Sequence, residues 1–528
     1  DALKEYPWIT LNDKVLSAYQ EWILENPFDR GQGWGGEPYC QKEMPVSDDL
    51  VEIAAEESDM AIIIIGRTAG EGRDLVKEAG GYYLTDTENA VLDKVCRAFD
   101  KVAVLLNTGN TIDMSWVTVF KPSAVLYIWQ GGQEGGKAAA DVLTGTVNPC
   151  GKLTDTIAYN LEDYPSTKNF GNEKQNIYQE DIYVGYRYFE TFEKKKVLYP
   201  FGYGCSYTSF DVKVLNLDVG GNFIKADVCV KNTGEYSGKE VVQLYISAPQ
   251  GKLGKPAREL KSYAKTNVLN PEAEEILHLC VSKQEVASYD DSGVTGNKSC
   301  YVLEAGEYAI YIGTDVRSAV QAGMFTVEEN IVMLRLNEAL APVMAFNRLK
   351  PAMYEHGSYQ EVYETVPVQN VSSLDKIKER RANEQGRALA FTGNKGYKLK
   401  DVYDGRVDLN TFLAQLTDED LMCLVRGEGM CSKKVTAGTA GAFGGVTEPL
   451  KELGIPIACC ADGPSGIRMD CGTLAFAMPC GTALGCTFNT KLVEELYVME
   501  GLELRKNQID TLLGPGMNIH RNPLNGRN

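Results

Sequence analysis

The sequence predicts a multidomain α/β protein: an α/β layered domain, then a β-sandwich, then the opening strands of a (β/α) barrel. Three observations predict this. Continuous apolar runs at residues 61–65 (AIIII), 102–106 (VAVLL) and 124–129 (AVLYIW) have the pattern of strands buried on both faces of a mainly parallel sheet. Between 205 and 330 the period changes to two, in short runs separated by turn-forming residues. From about 400 the alternation of strand, loop and helix returns.

Each element has its own justification. In 1–204, Thr85 and Glu88 stand at capping-box spacing, and Val91, Leu92, Val95, Cys96 and Phe99 then share one helical face. Strand, helix, strand at this spacing implies crossover connections, and such sheets place functional loops beyond the C-terminal ends of their strands. The loop after Ile65 is therefore the place to look for chemistry. In 205–330, residues 223–230 (FIKADVCV) and 308–312 (YAIYI) alternate, and 241–246 (VVQLYI) follows the turn-rich NTGEYSG, as in an immunoglobulin-sized sandwich. Residues 331–399 read as a linker along the surface, charged and weakly helical over 376–389. In 400–528, Thr417 and Asp420 cap a helix through Leu421, Leu424 and Val425. Residues 455–461 (IPIACCA) form a short buried strand that stops at Asp462, Asn489 or Thr490 caps a helix over 492–504, and 509–513 (IDTLL) is the next strand. A full barrel needs about 250 residues, and half a barrel leaves strand edges open. The expectation is that further polypeptide completes it.

Composition narrows the chemistry. A formal charge of -19 disfavours nucleic acid and suits an uncharged substrate. The 14 cysteines lack paired CxxC units and read mostly as small buried hydrophobes in a reducing, cytoplasmic compartment. No apolar run approaches the ~18 residues of a membrane span. His278, His356 and His520 are far apart in sequence, so His520 reads as structural and no metal is expected. The loop at 66–74 contains no GxGxxG, and no GxxxxGK[ST] occurs in the chain, which argues against a nucleotide enzyme.

Three segments carry candidate chemistry. Residues 462–468 (DGPSGIR) place Asp462 at a strand tip, where a carboxylate can accept two sugar hydroxyls and Arg468 can donate to others. Gly463, Pro464 and Gly466 hold the turn; the alternative is an Asp that only caps the next helix. Residues 513–528 (LGPGMNIHRNPLNGRN) place Arg521 and Arg527 in a Gly/Pro-rich loop that can approach a ligand closely. Residues 66–74 (GRTAGEGRD) place Glu71 between Gly70 and Gly72, free to extend across a domain interface; the alternative is a solvated turn.

Together these segments resemble glycoside hydrolase family 3, specifically its β-glucosidases with reversed domain order. Residues 129–138 (WQGGQEGGKA), 145–153 (GTVNPCGKL) and 199–210 (YPFGYGCSYTSF) resemble further parts of that family. The resemblance implies an α/β sandwich, a fibronectin type III-like β-sandwich and the first part of a (β/α)8 TIM-like barrel. It implies that Glu71 is the acid/base, needing a raised pKa, for example from partial burial at the domain interface, to serve as acid near neutral pH, and that Asp462, Arg468 and Arg527 bind the sugar. It places the nucleophilic Asp and a Lys-His pair beyond Asn528. Asn525 departs from the family's usual Cys or Gly, and the sheet domain's usual opening strand is not found after Asp1, so the chain reads as truncated at both ends. The implied activity is retaining hydrolysis of terminal β-D-glucosyl residues from cello-oligosaccharides or aryl β-glucosides, without metal or organic cofactor. The implied partners are a small carbohydrate and the remainder of the barrel, as C-terminal polypeptide or second chain, with no nucleic acid or membrane and a homo-oligomer left open. The alternatives are a β-xylosidase or other β-glycosidase of the same family, or a non-catalytic carbohydrate-binding protein on the same scaffold.

Overall fold

Branched apolar runs satisfy their backbone groups by pairing side by side, and β1 (Ala61–Arg67), β2 (Val102–Thr108) and β3 (Ala124–Tyr127) form a parallel sheet in the order β1-β2-β3. The computed structural model describes residues 2–33, 35–337, 342–368, 373–383 and 388–527. Two compact units result: the first takes residues 1–372, 482–489 and 518–528, the second 373–481 and 490–517.

In the first unit, β2 is central and its apolar residues are buried, as expected. β1 lies at the edge with Ile64 60% exposed, so its isoleucine run is not covered on both faces. β3 ends at Tyr127 rather than 129; Trp129 turns into positive φ and stacks on Tyr127. The helix Asp86–Ala98 has the expected capping box, and Val91, Leu92 and Val95 pack into the sheet core with Cys96 and Phe99 beside them. β4 (Ile157–Ala158) and β5 (Val197–Tyr199) make a short antiparallel pair.

The β-sandwich follows. Its strands are β6 (Phe210–Asp218), β7 (Phe223–Asn232), β8 (Val241–Ser247), β9 (Glu259–Lys265), β10 (Glu274–Ser282), β11 (Ser288–Asp290), β12 (Cys300–Leu303), β13 (Gly306–Gly313), β14 (Val320–Val327) and β15 (Ile331–Arg335). Sheets in the orders β10-β7-β6 and β14-β13-β8-β9 share one core, filled by Val228, Val230, Leu244, Ile310 and Phe325 among others. A third small sheet has the order β11-β12-β15.

The stretch 331–399 is not connection alone, which corrects the linker reading. β15 pairs with β12, and β16 (Phe346–Glu355) and β17 (Ser358–Val366) form a hairpin turning at His356 and Gly357. Charged residues hid it from a hydrophobicity reading, because polar pairs hold it. Arg348 bonds Glu364 at 2.7 Å and Asp291 at 2.6 Å, and Lys350 bonds Glu364 at 2.9 Å. Leu349 and Val366 are the residues it buries. The weakly helical stretch is the helix Ser373–Asn383. Residues 338–341, 369–372 and 384–387 of the expected linker lie outside the described residues.

In the second unit, β18 (Gly441–Gly444), β19 (Ile457–Asp462) and β20 (Thr511–Leu513) form a sheet in that order, β19 and β20 parallel and β18 antiparallel to β19. Ala442, Cys459, Ala461, Ile467 and Ile509 form its core. The helix Asp418–Arg426 carries the expected Thr417–Asp420 capping box, and the helix Thr490–Lys506 lies between β19 and β20 in sequence. All fourteen cysteines are free; Cys300, Cys459 and Cys486 are buried while Cys205, Cys280, Cys431 and Cys471 are exposed, so burial is rarer among them than expected. Among the described residues no helix is long and apolar enough to cross a membrane.

Candidate functional site

The loop that carries Glu71 starts from a locked strand end. Arg67, the last residue of β1, is buried, and its guanidinium forks onto Glu88: Nη1 to Oε1 and Nη2 to Oε2, both 2.7 Å. Glu88 also accepts from the Thr85 backbone N–H at 2.8 Å as part of the capping box, so strand end and helix start are tied together. Thr68 then bonds backward, its N–H to the Tyr39 carbonyl at 2.8 Å. A turn follows across 70–73, closed by Arg73 N donating to Gly70 O at 3.1 Å. Gly72, its third residue, has φ 68°, the conformation that a type II turn demands there and that glycine adopts readily. Glu71 takes the second position. Arg73 stacks on Tyr39, 4.6 Å from the ring centre, and donates to the Glu37 carbonyl.

Residues 518–527 lie against this turn in the same unit. Arg521 is buried on Glu180, donates from Nη1 to Asn176 at 2.9 Å and sits 4.2 Å over the Tyr178 ring. Ser166 Oγ donates to the Arg521 carbonyl at 2.7 Å, and Asn522 Nδ2 donates to Ser166 Oγ at 3.0 Å. Leu524 packs against the sheet core while its carbonyl accepts from Leu75 N at 2.7 Å. Asn110 Nδ2 donates to the carbonyls of Pro523, at 3.3 Å, and Asn525. Gly526 N donates to Asp74 Oδ1 at 2.9 Å. Arg527 Nη1 then donates to Glu71 Oε2 at 2.9 Å, with the two side chains 49% and 68% exposed.

His520 opens the segment. Its Nδ1 lies 2.8 and 3.0 Å from the two Asp155 carboxylate oxygens. Burial works against a charged ring, but the Asp155 carboxylate outweighs it, so His520 titrates above its ordinary value. With Gly109, Asn110, Thr111, Trp129, Asp155 and Thr482 it lines a small crevice. Among the described residues no three His, Cys, Asp or Glu side chains group as metal ligands would.

In the second unit, Asp462 ends β19 as an exposed side chain, its Oδ1 accepting from Gly463 N at 3.1 Å. Arg468 N donates to Asp462 O at 2.7 Å and closes the turn through Gly463, Pro464 and Gly466. No helix begins directly after Asp462, the next starting at Gly481, so it does not cap one; Arg468 Nε meets Asp470 Oδ1 at 3.0 Å.

The geometry thus brings Glu71 and Arg527 together in the first unit and places Asp462 and Arg468 in the second. Two family models match the sequence: the glycosyl hydrolase family 3 C-terminal domain over residues 40–207 and a fibronectin type III-like domain over 240–316. Beta-glucosidase A of Butyrivibrio fibrisolvens is 37% identical over 98% of this chain and 68% of its own length. The chain belongs to glycoside hydrolase family 3. A beta-glucosidase of Ruminococcus albus is 53% identical over 98% of this chain, which spans about half, 54%, of that relative's length. The crystal structure of a beta-glucosidase from Paenibacillus barengoltzii superposes with a TM-score of 0.96 at 53% identity, over 100% of this chain and 58% of that one. Beta-glucosidase 3B from Thermotoga neapolitana, solved in complex with α-D-glucose, gives 0.57 at 35% identity over 62% and 46%.

Two expectations for this family 3 chain change. Arg521 does not stand beside Arg527 as a ligand-facing group: it is buried on Glu180 and fixes the loop. Glu71 is 68% exposed in this chain, so the example of partial burial does not describe it here. Sequence reasoning also passed over Asp74, Asn110, Glu180 and Gly526. Their contacts with one another's segments span more than 300 residues, so no local spacing announces them.

Proposed function

We propose that this chain belongs to a retaining β-glucosidase in which Glu71 is the acid/base and Arg527, Asp462 and Arg468 hold the terminal sugar. The observation that carries the reading is the Glu71–Arg527 pair: a carboxylate on a glycine-flanked turn and a guanidinium 2.9 Å away, both left accessible, whereas the Arg67–Glu88 and Arg521–Glu180 pairs of the same unit are buried. The beta-glucosidases of Ruminococcus albus and Paenibacillus barengoltzii support the activity, and the glucose complex of the Thermotoga neapolitana enzyme supports the sugar.

In this reading Glu71 protonates the leaving oxygen while a carboxylate on the far face attacks the anomeric carbon; Glu71 then takes a proton from the water that releases the sugar. In this reading the attacking carboxylate belongs to the remainder of the barrel. Arg527 and Arg468 donate charge-assisted hydrogen bonds to sugar hydroxyls and Asp462 accepts from them. No step calls for a metal or organic cofactor. The fourteen free cysteines support a reducing, cytoplasmic setting.

The test is Glu71→Ala in the full-length enzyme. Turnover falls by about 10²–10⁴-fold on cellobiose, whose leaving group needs a proton, and much less on 2,4-dinitrophenyl β-glucoside. Azide restores part of the rate and yields β-glucosyl azide. Wild-type turnover of cellobiose by this variant removes the assignment. A panel of nitrophenyl glycosides separates glucosidase from xylosidase.

A further inference from the structure

The Glu71 turn is the site's least supported piece when viewed alone. Three of its four residues, 70–72, point no side chain into the core, and Glu71 itself is two-thirds exposed. Such a turn would let its carboxylate wander, yet acid catalysis needs the proton donor within hydrogen-bond reach of one oxygen. Something outside the turn must fix it.

The segment 522–527 supplies that support at four points. Leu75 N donates to Leu524 O at 2.7 Å, just past the turn. Asn110, 1% exposed at the start of the loop after β2, holds the carbonyls of Pro523 and Asn525. Gly526 N donates to Asp74 Oδ1 at 2.9 Å. The fourth point is the close approach of Gly526 itself. A Cβ built on it lies 2.3 Å from the Gly70 carbonyl oxygen and 2.3 Å from the Arg73 carbonyl oxygen. Those are the first and last residues of the turn, so the bare Cα of Gly526 touches both ends of it.

We infer that Gly526 is a positioning residue: having no side chain, it lets the 522–527 segment seat against both ends of the turn and so sets where the Glu71 carboxylate stands. This rests on the reading of Glu71 as acid/base. Backbone carbonyls cannot swing aside as a flexible side chain does, so any Cβ at 526 displaces the turn by most of an ångström. Asp74 is the second element, because its carboxylate holds the Gly526 N–H in register with the turn.

The experiment measures kcat/KM of Gly526→Ala in the full-length enzyme on cellobiose and on 2,4-dinitrophenyl β-glucoside, with Glu71→Ala run in parallel. A displaced acid costs rate only where the leaving group needs protonation. The expected loss for Gly526→Ala is about 10- to 100-fold on cellobiose and far less on the dinitrophenyl glucoside. A loss of equal size on both substrates, or none, overturns the inference, because a shift of the neighbouring Arg527 or a general weakening of the fold acts on both alike. If Glu71→Ala itself shows no such split, the acid/base reading falls; if it does and Gly526→Ala does not, only the clamp falls. Should circular dichroism show Gly526→Ala unfolded, Asp74→Ala decides. A split in the same direction, largely recovered in Asp74→Asn, which keeps the Oδ1 acceptor, supports the clamp, and a uniform loss or none overturns it.

Discussion

Arg521 and Arg527 leave the same loop six residues apart, and each meets a glutamate from far earlier in the chain. The resemblance ends there. Arg521 and Glu180 are 7% and 1% exposed, with Asn176, the Ile177 carbonyl and the Tyr178 ring completing the cage. That guanidinium cannot change partners without leaving a charge buried and unpaired. Arg527 and Glu71 are 49% and 68% exposed, and a pair so open to solvent contributes about 0–1 kcal/mol. In the proposed reading a sugar hydroxyl replaces the carboxylate there at little cost. Burial, more than pairing, separates the arginine that holds the loop from the one that stands open to solvent.

Three measurements test that contrast. The largest effect belongs to Arg521→Met, which strands Glu180 in the interior; it lowers stability by about 3–5 kcal/mol in urea unfolding. A change below about 1 kcal/mol would erase the contrast. Arg527→Ala behaves in the opposite way. It leaves the unfolding midpoint almost unchanged and lowers kcat/KM by about 10- to 150-fold, the worth of one lost charge-assisted hydrogen bond of roughly 1.5–3 kcal/mol. The smallest effect concerns His520 at the head of the loop. Asp155 raises its folded-state pKa above the unfolded value despite burial, so its stabilising contribution is fully present below the unfolded pKa and fades as pH rises through the folded one. The melting temperature of the wild type should therefore exceed that of His520→Asn most on the acid side, with the gap narrowing toward alkaline pH. A gap that widens with pH contradicts the pairing.

How far the sequence could be read depends on the range of the interactions. The capping boxes at Thr85–Glu88 and Thr417–Asp420 need three residues of spacing and were legible as such. The alternation in β7 and the apolar run in β2 were legible for the same reason. The β16–β17 hairpin was not, because Arg348, Lys350 and Glu364 hold it by charge and only Leu349 and Val366 supply buried apolar surface. At the candidate site, Glu71 could be singled out by its flanking glycines, and Arg527 by the motif around it. Asp74 and Gly526 could not, since neither is unusual in its own neighbourhood and the bond between them spans 452 positions.

That span has a consequence in time. At about 5–20 residues per second of synthesis, the Glu71 turn emerges from the ribosome roughly 20–90 s before Gly526 exists. Throughout that interval the Leu75 N–H and the Asp74 carboxylate face water, and the groove that Leu524 fills is open. The sheet layer can fold meanwhile, but the nascent chain carries an unseated turn. Translation pausing upstream of residue 518 would lengthen the exposure of that groove to chaperones and proteases without changing the finished protein.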